Sequence, residues 1–172
     1  MENAPTAAHR AVWAVMRFTG SRISETLALK WGAVHSDRIV FIRSTTKTKR
    51  TREPRIGAGL AAELARYRED WAEAHGREPR PRDWLFPGRF SRQPMTRQAV
   101  DKAMRQLLGE LQLPTGISLH TPRRSLATTM AQSGTSLVTV SRFTGHVSIE
   151  QLRRYIDVDP SDEMAALEAI AG

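Results

Sequence analysis

The sequence predicts a mainly α-helical domain with one small antiparallel β-sheet, an α+β fold, across its 172 residues. Three observations predict it. Apolar residues recur at i, i+3 and i+4 in several separate segments, the spacing of helices with one buried face. One segment, "RIVFIRS" at 38–44, carries the β-branched density of a strand and is followed by a polar turn. The composition, 40% hydrophobic with four Trp and no Cys, suits a single packed core without disulfides or a Cys-ligated zinc site.

Taken in order, residues 7–18 read as a first helix, with Ala11, Val12, Val15, Met16 and Phe18 apolar. Thr19-Gly20 ends it, and Ser24 is the expected cap of a second helix that carries Leu27 and Trp31 on one side. The strand at 38–44 runs into the basic stretch "TTKTKRTRE" (45–53) and then "PRIG", which fits a hairpin with a basic turn. Residues 60–74 form an amphipathic helix with Leu60, Leu64, Tyr67 and Trp71 on one face. Residues 75–94 are rich in Pro, Gly and Arg and read as a loop, apart from a buried-looking Trp84-Leu85-Phe86. Thr96 caps a helix whose stripe is Val100, Ala103, Met104, Leu107, Leu108 and Leu111. A further helix places Pro122 at its first position and Gly134 past its end. "SLVTVSRFTGH" is another helix, ended by Gly145. Ser148 and Gln151 form a capping box opening "IEQLRRYI", and Asp159-Pro160 opens a short tail helix over 159–172. The stripe Met164, Leu167, Ile170 on so short a helix requires it to dock on something.

A formal net charge of +8 points to a polyanionic partner, with nucleic acid first among the candidates. The N-terminus lacks the apolar run of a signal peptide, and no stretch is long and apolar enough to span a bilayer. The expectation is a cytoplasmic, nucleoid-associated protein with no membrane partner. "HTPRRSLATTM" (120–130) crowds His120, Arg123 and Arg124 at a helix start, where the macrodipole disfavours positive charge. A bound phosphate would resolve that conflict, since helix N-termini and Arg forks both bind such anions.

Arg22 in "TGSRISE", Lys47 in the basic turn, "HTPR" at 120–123, "TGH" ending at His146, and Tyr155 nine residues later form an ordered set. The set resembles the catalytic domain of the tyrosine recombinases, the phage integrase family, whose members carry TGLRxSE, a hairpin Lys, H-x-x-R, LGH and a Tyr nine residues on. "DWLFP" and "MTRQAV" resemble the family's connecting segment, so the likeness runs from about Ala8 to Tyr155. Arg124 stands where the family commonly has His, and Pro122 where it has Leu.

The resemblance implies the integrase catalytic-domain fold and a site-specific recombinase. Such an enzyme cleaves and rejoins double-stranded DNA through a 3′-phosphotyrosine link, with no metal, cofactor or ATP. It implies Tyr155 as nucleophile, Arg22 and Arg123 as guanidinium forks on the phosphate, and His146 as a phosphate hydrogen-bond donor. His120 would assist proton transfer from Tyr155. Lys47 would be the general acid, with Lys49 as its alternative, and Glu25 a supporting carboxylate. Lys49, Arg50, Arg52, Arg124, Arg153 and Arg154 are the expected DNA-backbone contacts. Two other readings stay open: a type IB topoisomerase-like relaxing enzyme, and a non-catalytic DNA-binding regulator of the same fold. The expected domain organisation is one catalytic domain over 1–172, without the family's N-terminal DNA-clamping domain. The sequence fits both a shortened chain and a natural single-domain member. The chain is expected to be a monomer in free solution and to assemble, as a tetramer, only on DNA.

Overall fold

The computed structural model describes residues 3–42, 51–89, 92–114, 116–145, 150 and 152. Helix α1 (Ala7–Thr19) is the centre of the domain. Thr6 caps it, its hydroxyl accepting from the His9 N–H at 3.2 Å. Packing against both α3 (Ala58–His75) and α5 (Thr121–Gln132) covers more than one face of α1, so Ala11 to Met16 are all buried. The expected one-sided stripe is therefore wider than its periodicity suggested. Its outer member, Phe18, stays exposed and lies over Gly59 of α3, where a Cβ would come within 3.0 Å of the ring.

Gly20 ends α1 in the left-handed conformation, φ 62°. A side chain there would be strained, and a Cβ would also press on Thr144 and Leu126 at 3.1 and 3.2 Å. Helix α2 (Ile23–Leu27) follows at once. Arg22, and not Ser24, occupies its cap position: the Glu25 carboxylate accepts from the Arg22 N–H at 3.0 Å, and Ser24 lies inside the helix. A short 3-10 turn at Trp31–Ala33 packs Trp31 against Tyr67 and Trp71.

The segment expected to be a strand pairs antiparallel with 52–56, through bridges Phe41 to Arg52 and Arg38 to Arg55. Among the described residues these are isolated bridges, and no continuous strand or sheet forms. Pro54 accepts from the Ile39 N–H at 3.1 Å but has no N–H to return, which interrupts the ladder. Ile39 and Phe41 are nonetheless fully buried.

Helix α3 turns Leu60, Leu64, Tyr67 and Trp71 inward. The Tyr67 hydroxyl donates to the Leu85 carbonyl at 2.9 Å, and burial, helped by Asp70, pushes its pKa up. Tyr67 is thus a core residue. Leu85 and Phe86 are buried as expected, while Trp84 is half-buried under the Lys30 ammonium. Asp83 braces that loop. It accepts two bonds from Arg77 and one from the Arg80 N–H, and Arg77 foremost holds its carboxyl at about 2.

Helix α4 (Arg97–Glu110) is capped by Thr96 and buries Val100, Ala103 and Met104. Leu107 and Leu108 pack at the core's margin, and Leu111, expected to complete the stripe, is exposed beyond the helix end. Helix α5 begins at Thr121, so Pro122 lies within its first turn rather than at its first position. Helix α6 (Leu137–Thr144) is capped by Ser136 and stopped by Gly145, φ 73°.

Ala127 of α5, Val140 of α6 and Leu152 form a second small core, with Met130 beside it. Leu152 precedes Tyr155 by three positions and is fully buried. Leu152→Ala should therefore lower stability by about 2–5 kcal/mol, the usual range for truncating a buried Leu. Chemical denaturation should detect that loss, and an unchanged midpoint would show that Leu152 contributes no packing. The capping box at Ser148 and Gln151 and the tail at 159–172 lie outside the described residues.

Candidate active site

The site grows from the turn that joins α1 to α2. Thr19, Ser21 and Thr26 are fully buried and bond to one another. The Thr19 hydroxyl donates to the Val15 carbonyl at 2.6 Å and pairs with Ser21 at 3.0 Å, and Ser21 and Thr26 share a hydrogen bond of 2.7 Å. This hydroxyl network, unnoticed in the sequence reading, holds the backbone that presents Arg22. Its signal in the sequence is the density of Ser and Thr in "TGSRISET".

Glu25 is 2% exposed, and a buried carboxylate is tolerable only when paired and hydrogen-bonded. One oxygen accepts from Arg22 Nη1 at 2.9 Å. The other accepts from the Arg22 N–H at 3.0 Å and from Arg52 Nη2 at 3.4 Å. One acid thus orients Arg22 by both its backbone and its side chain.

Arg123, on the first turn of α5, is 5% exposed. Its Nη1 donates to the Gly20 and Thr144 carbonyls, each at 2.6 Å. The side chain therefore ties the α1–α2 turn to the end of α6. Its neighbour Arg124 is exposed. Arg52, expected on a solvated basic turn, is folded inward with a side chain only 10% exposed. It donates to the Thr19 and Phe143 carbonyls at 2.7 Å each and lies over the Phe41 ring at 4.7 Å. Expected as a phosphate contact, Arg52 instead has both terminal nitrogens of its fork bonded to protein oxygens. Burial pulls its pKa down, and Glu25 opposes that shift.

His120 precedes α5 and is exposed; its backbone N–H donates to the Ser118 hydroxyl at 3.3 Å. Its pKa is lowered, first by the partial covering of the ring and then by the positive charges of Arg97, Arg123 and Arg22. Arg97, the exposed first residue of α4, is absent from the residues the sequence pointed to. A His whose folded pKa lies below 6.5 stays neutral to lower pH, as a proton acceptor must. In a reaction that uses His120 as proton acceptor, the acidic half-point of the rate should accordingly lie below the ordinary histidine value of about 6.5. Single-turnover rates from pH 5 to 8 would check this, and a half-point above about 6.5 would contradict it. Stability has the same sign. The unfolded chain binds the extra proton between the two pKa values, so stability rises with pH across that window and is level above 6.5.

The described part of the site therefore joins Arg22, Glu25, Arg52, His120 and Arg123, with Arg97 near the imidazole. Lys47, Lys49, Arg50, His146, Arg153, Arg154 and Tyr155 lie outside the described residues. A single carboxylate stands among several guanidinium groups, so the cluster carries surplus positive charge suited to an anion.

The family model described as "Phage integrase family" matches residues 1–162. The tyrosine recombinase XerD of Listeria monocytogenes is 29% identical over 150 residues, covering 87% of this chain and 50% of the relative. Among solved structures, the Tn1549 transposon integrase in complex with transposon right end DNA superposes with a TM-score of 0.78 at 19% identity. That match covers 96% of this chain and 59% of the other. The XerH site-specific recombinase bound to its difH substrate, a pre-cleavage complex, gives 0.75 at 22% identity, covering 97% and 48%. The chain spans about half the length of the curated relatives it matches. The mainly helical fold is thus that of tyrosine recombinase catalytic domains. With the family model matched along nearly its whole length, and "TGSRISE", "HTPR" and "TGH" in the family's order, the chain belongs to the phage integrase family.

Proposed function

We propose that this chain is the catalytic domain of a site-specific recombinase, one that cleaves and religates double-stranded DNA through a tyrosine–phosphate link. The carrying observation is the convergence of Arg22, held by the buried Glu25, with Arg123 and His120 in one cationic cluster. The Tyr155 hydroxyl attacks the scissile phosphorus and bonds to it, while the bond from phosphorus to the 5′ oxygen breaks. His120 assists removal of the Tyr155 proton, and Lys47 or Lys49 protonates the departing 5′ oxygen. Arg22, Arg123 and His146 meet the charge that develops on the phosphate oxygens, the role a preorganised cationic site performs best. Religation reverses these steps, because the covalent link conserves the bond energy and no ATP is required.

Lys49, Arg50, Arg124, Arg153 and Arg154 serve as backbone contacts in this reading. The enzyme works in the cytoplasm at the nucleoid, alone in free solution and as a tetramer on DNA, with the tail at 159–172 joining subunits. Affinity should then fall steeply with salt, since phosphate contacts release counterions. Sedimentation should give a monomer alone and a larger species only with DNA. Salt-insensitive binding, or a stable tetramer without DNA, would contradict this picture. The functional reading itself is tested with a nicked suicide duplex whose cleaved end diffuses away. A covalent protein–DNA adduct should accumulate in EDTA. DNA binding without any adduct would leave the regulator reading in its place.

A further inference from the structure

We propose that Arg52 is a positioning residue of the strand-cleaving site rather than a DNA contact, an inference that rests on the functional reading above. Two arginines join the same two backbone segments at adjacent positions. Arg52 Nη1 bridges the carbonyls of Thr19 and Phe143, and Arg123 Nη1 bridges those of Gly20 and Thr144. Consecutive carbonyls at the end of α1 are thereby clamped to consecutive carbonyls at the end of α6. Carbonyls at helix C-termini lack intrahelical partners and favour a cation. Each segment leads directly to a proposed catalytic group: 19–20 to Arg22, and 143–145 to His146.

The other arm of Arg52 reaches Glu25, the carboxylate that orients Arg22. Its aliphatic stem packs on Gly145, where a Cβ would lie 3.2 Å from Cδ and 3.3 Å from Nε. The backbone sets the direction. Arg52 and Phe41 exchange both main-chain bonds, at 2.8 and 3.0 Å, and the guanidinium then lies over the Phe41 ring. Arg52 thus touches both segments, and both terminal nitrogens of its fork are bonded to protein oxygens. Lys can keep the charge but not the planar fork that holds two carbonyls and a carboxylate together.

The test compares Arg52→Met and Arg52→Lys with the wild type, by thermal melting, DNA affinity across a salt series, and single-turnover cleavage of the nicked duplex at saturating protein. Arg52→Met should leave the affinity and its salt slope near wild type. It should slow saturated cleavage on the order of 10²-fold, the scale of a small displacement of catalytic groups. Arg52→Lys should recover part of that rate. If Arg52→Met does not fold, the Lys variant decides the matter on the same readouts. Weakened affinity with a shallower salt slope and unchanged saturated cleavage would make Arg52 a phosphate contact and overturn the proposal. So would a lowered melting temperature with a wild-type rate, which would mark a purely structural role. Absence of any adduct in the wild type would overturn the functional reading and this inference with it, a result separate from either outcome of the variants.

Discussion

Tyr155→Phe is expected to abolish the covalent protein–DNA adduct while leaving DNA affinity nearly unchanged. Only the attacking oxygen is removed, and neither a charge nor a packing group is lost. Tyr is a weak nucleophile at neutral pH, with an ordinary pKa near ~10, so its attack depends on the surrounding cations and on a proton acceptor. Tyr67, the other tyrosine of the chain, cannot substitute for it. Its hydroxyl is buried and bonded to Leu85, and its pKa is raised, which disfavours the phenolate further. Denaturing gels of the trapped reaction would show the shifted band for the wild type alone. An adduct of wild-type yield in the variant would remove Tyr155 from the mechanism.

Arg22→Ala and Arg123→Ala should each slow cleavage by roughly 10²–10³-fold, the usual effect of losing one transition-state donor. Added Mg²⁺ should restore neither, and EDTA should not slow the wild type. Both variants should also lose stability. Arg22→Ala removes one of the three donors to Glu25: the side-chain bond is lost, while the backbone N–H at position 22 and Arg52 still reach the carboxylate. Arg123→Ala removes a buried side chain and strips the Gly20 and Thr144 carbonyls of a shared donor. A buried group deprived of its partner costs about 1–3 kcal/mol, and more when it is charged, so both variants should melt earlier than the wild type. Strict Mg²⁺ dependence of the chemical step, or full cleavage by either variant, would refute the assignment of these cations.

Much of the helical framework was legible because its signals are local. Thr96 caps, Gly20 and Gly145 terminate, and Leu60, Leu64, Tyr67 and Trp71 recur at the helical period. Where a local signal was ambiguous, long-range packing decided. Ser24 has the chemistry of a cap, yet the buried Glu25 carboxylate claims the backbone N–H of Arg22 and sets the helix start there. The run 38–44 has strand composition, yet Pro54 opposite it interrupts the pairing, leaving isolated bridges among the described residues.

The sequence by itself determined the chemistry on offer: which residue types stand at "TGSRISE", "HTPR" and "TGH", their order, and the family to which that order belongs. Motif spacing carries this information because the reacting groups must be of particular types at the ends of particular elements. Tertiary structure alone decided where the cations lie and what they bond to. In the linear chain Arg52 is one of several equivalent charges in a basic run, and Arg123 one of two at a helix start. Folding brings the ends of α1 and α6 together and buries both guanidinium groups against their carbonyls. The reason is the non-local demand of buried polar groups. Carbonyls at two helix ends and a buried carboxylate must find donors, and those donors come from residues far away in the sequence.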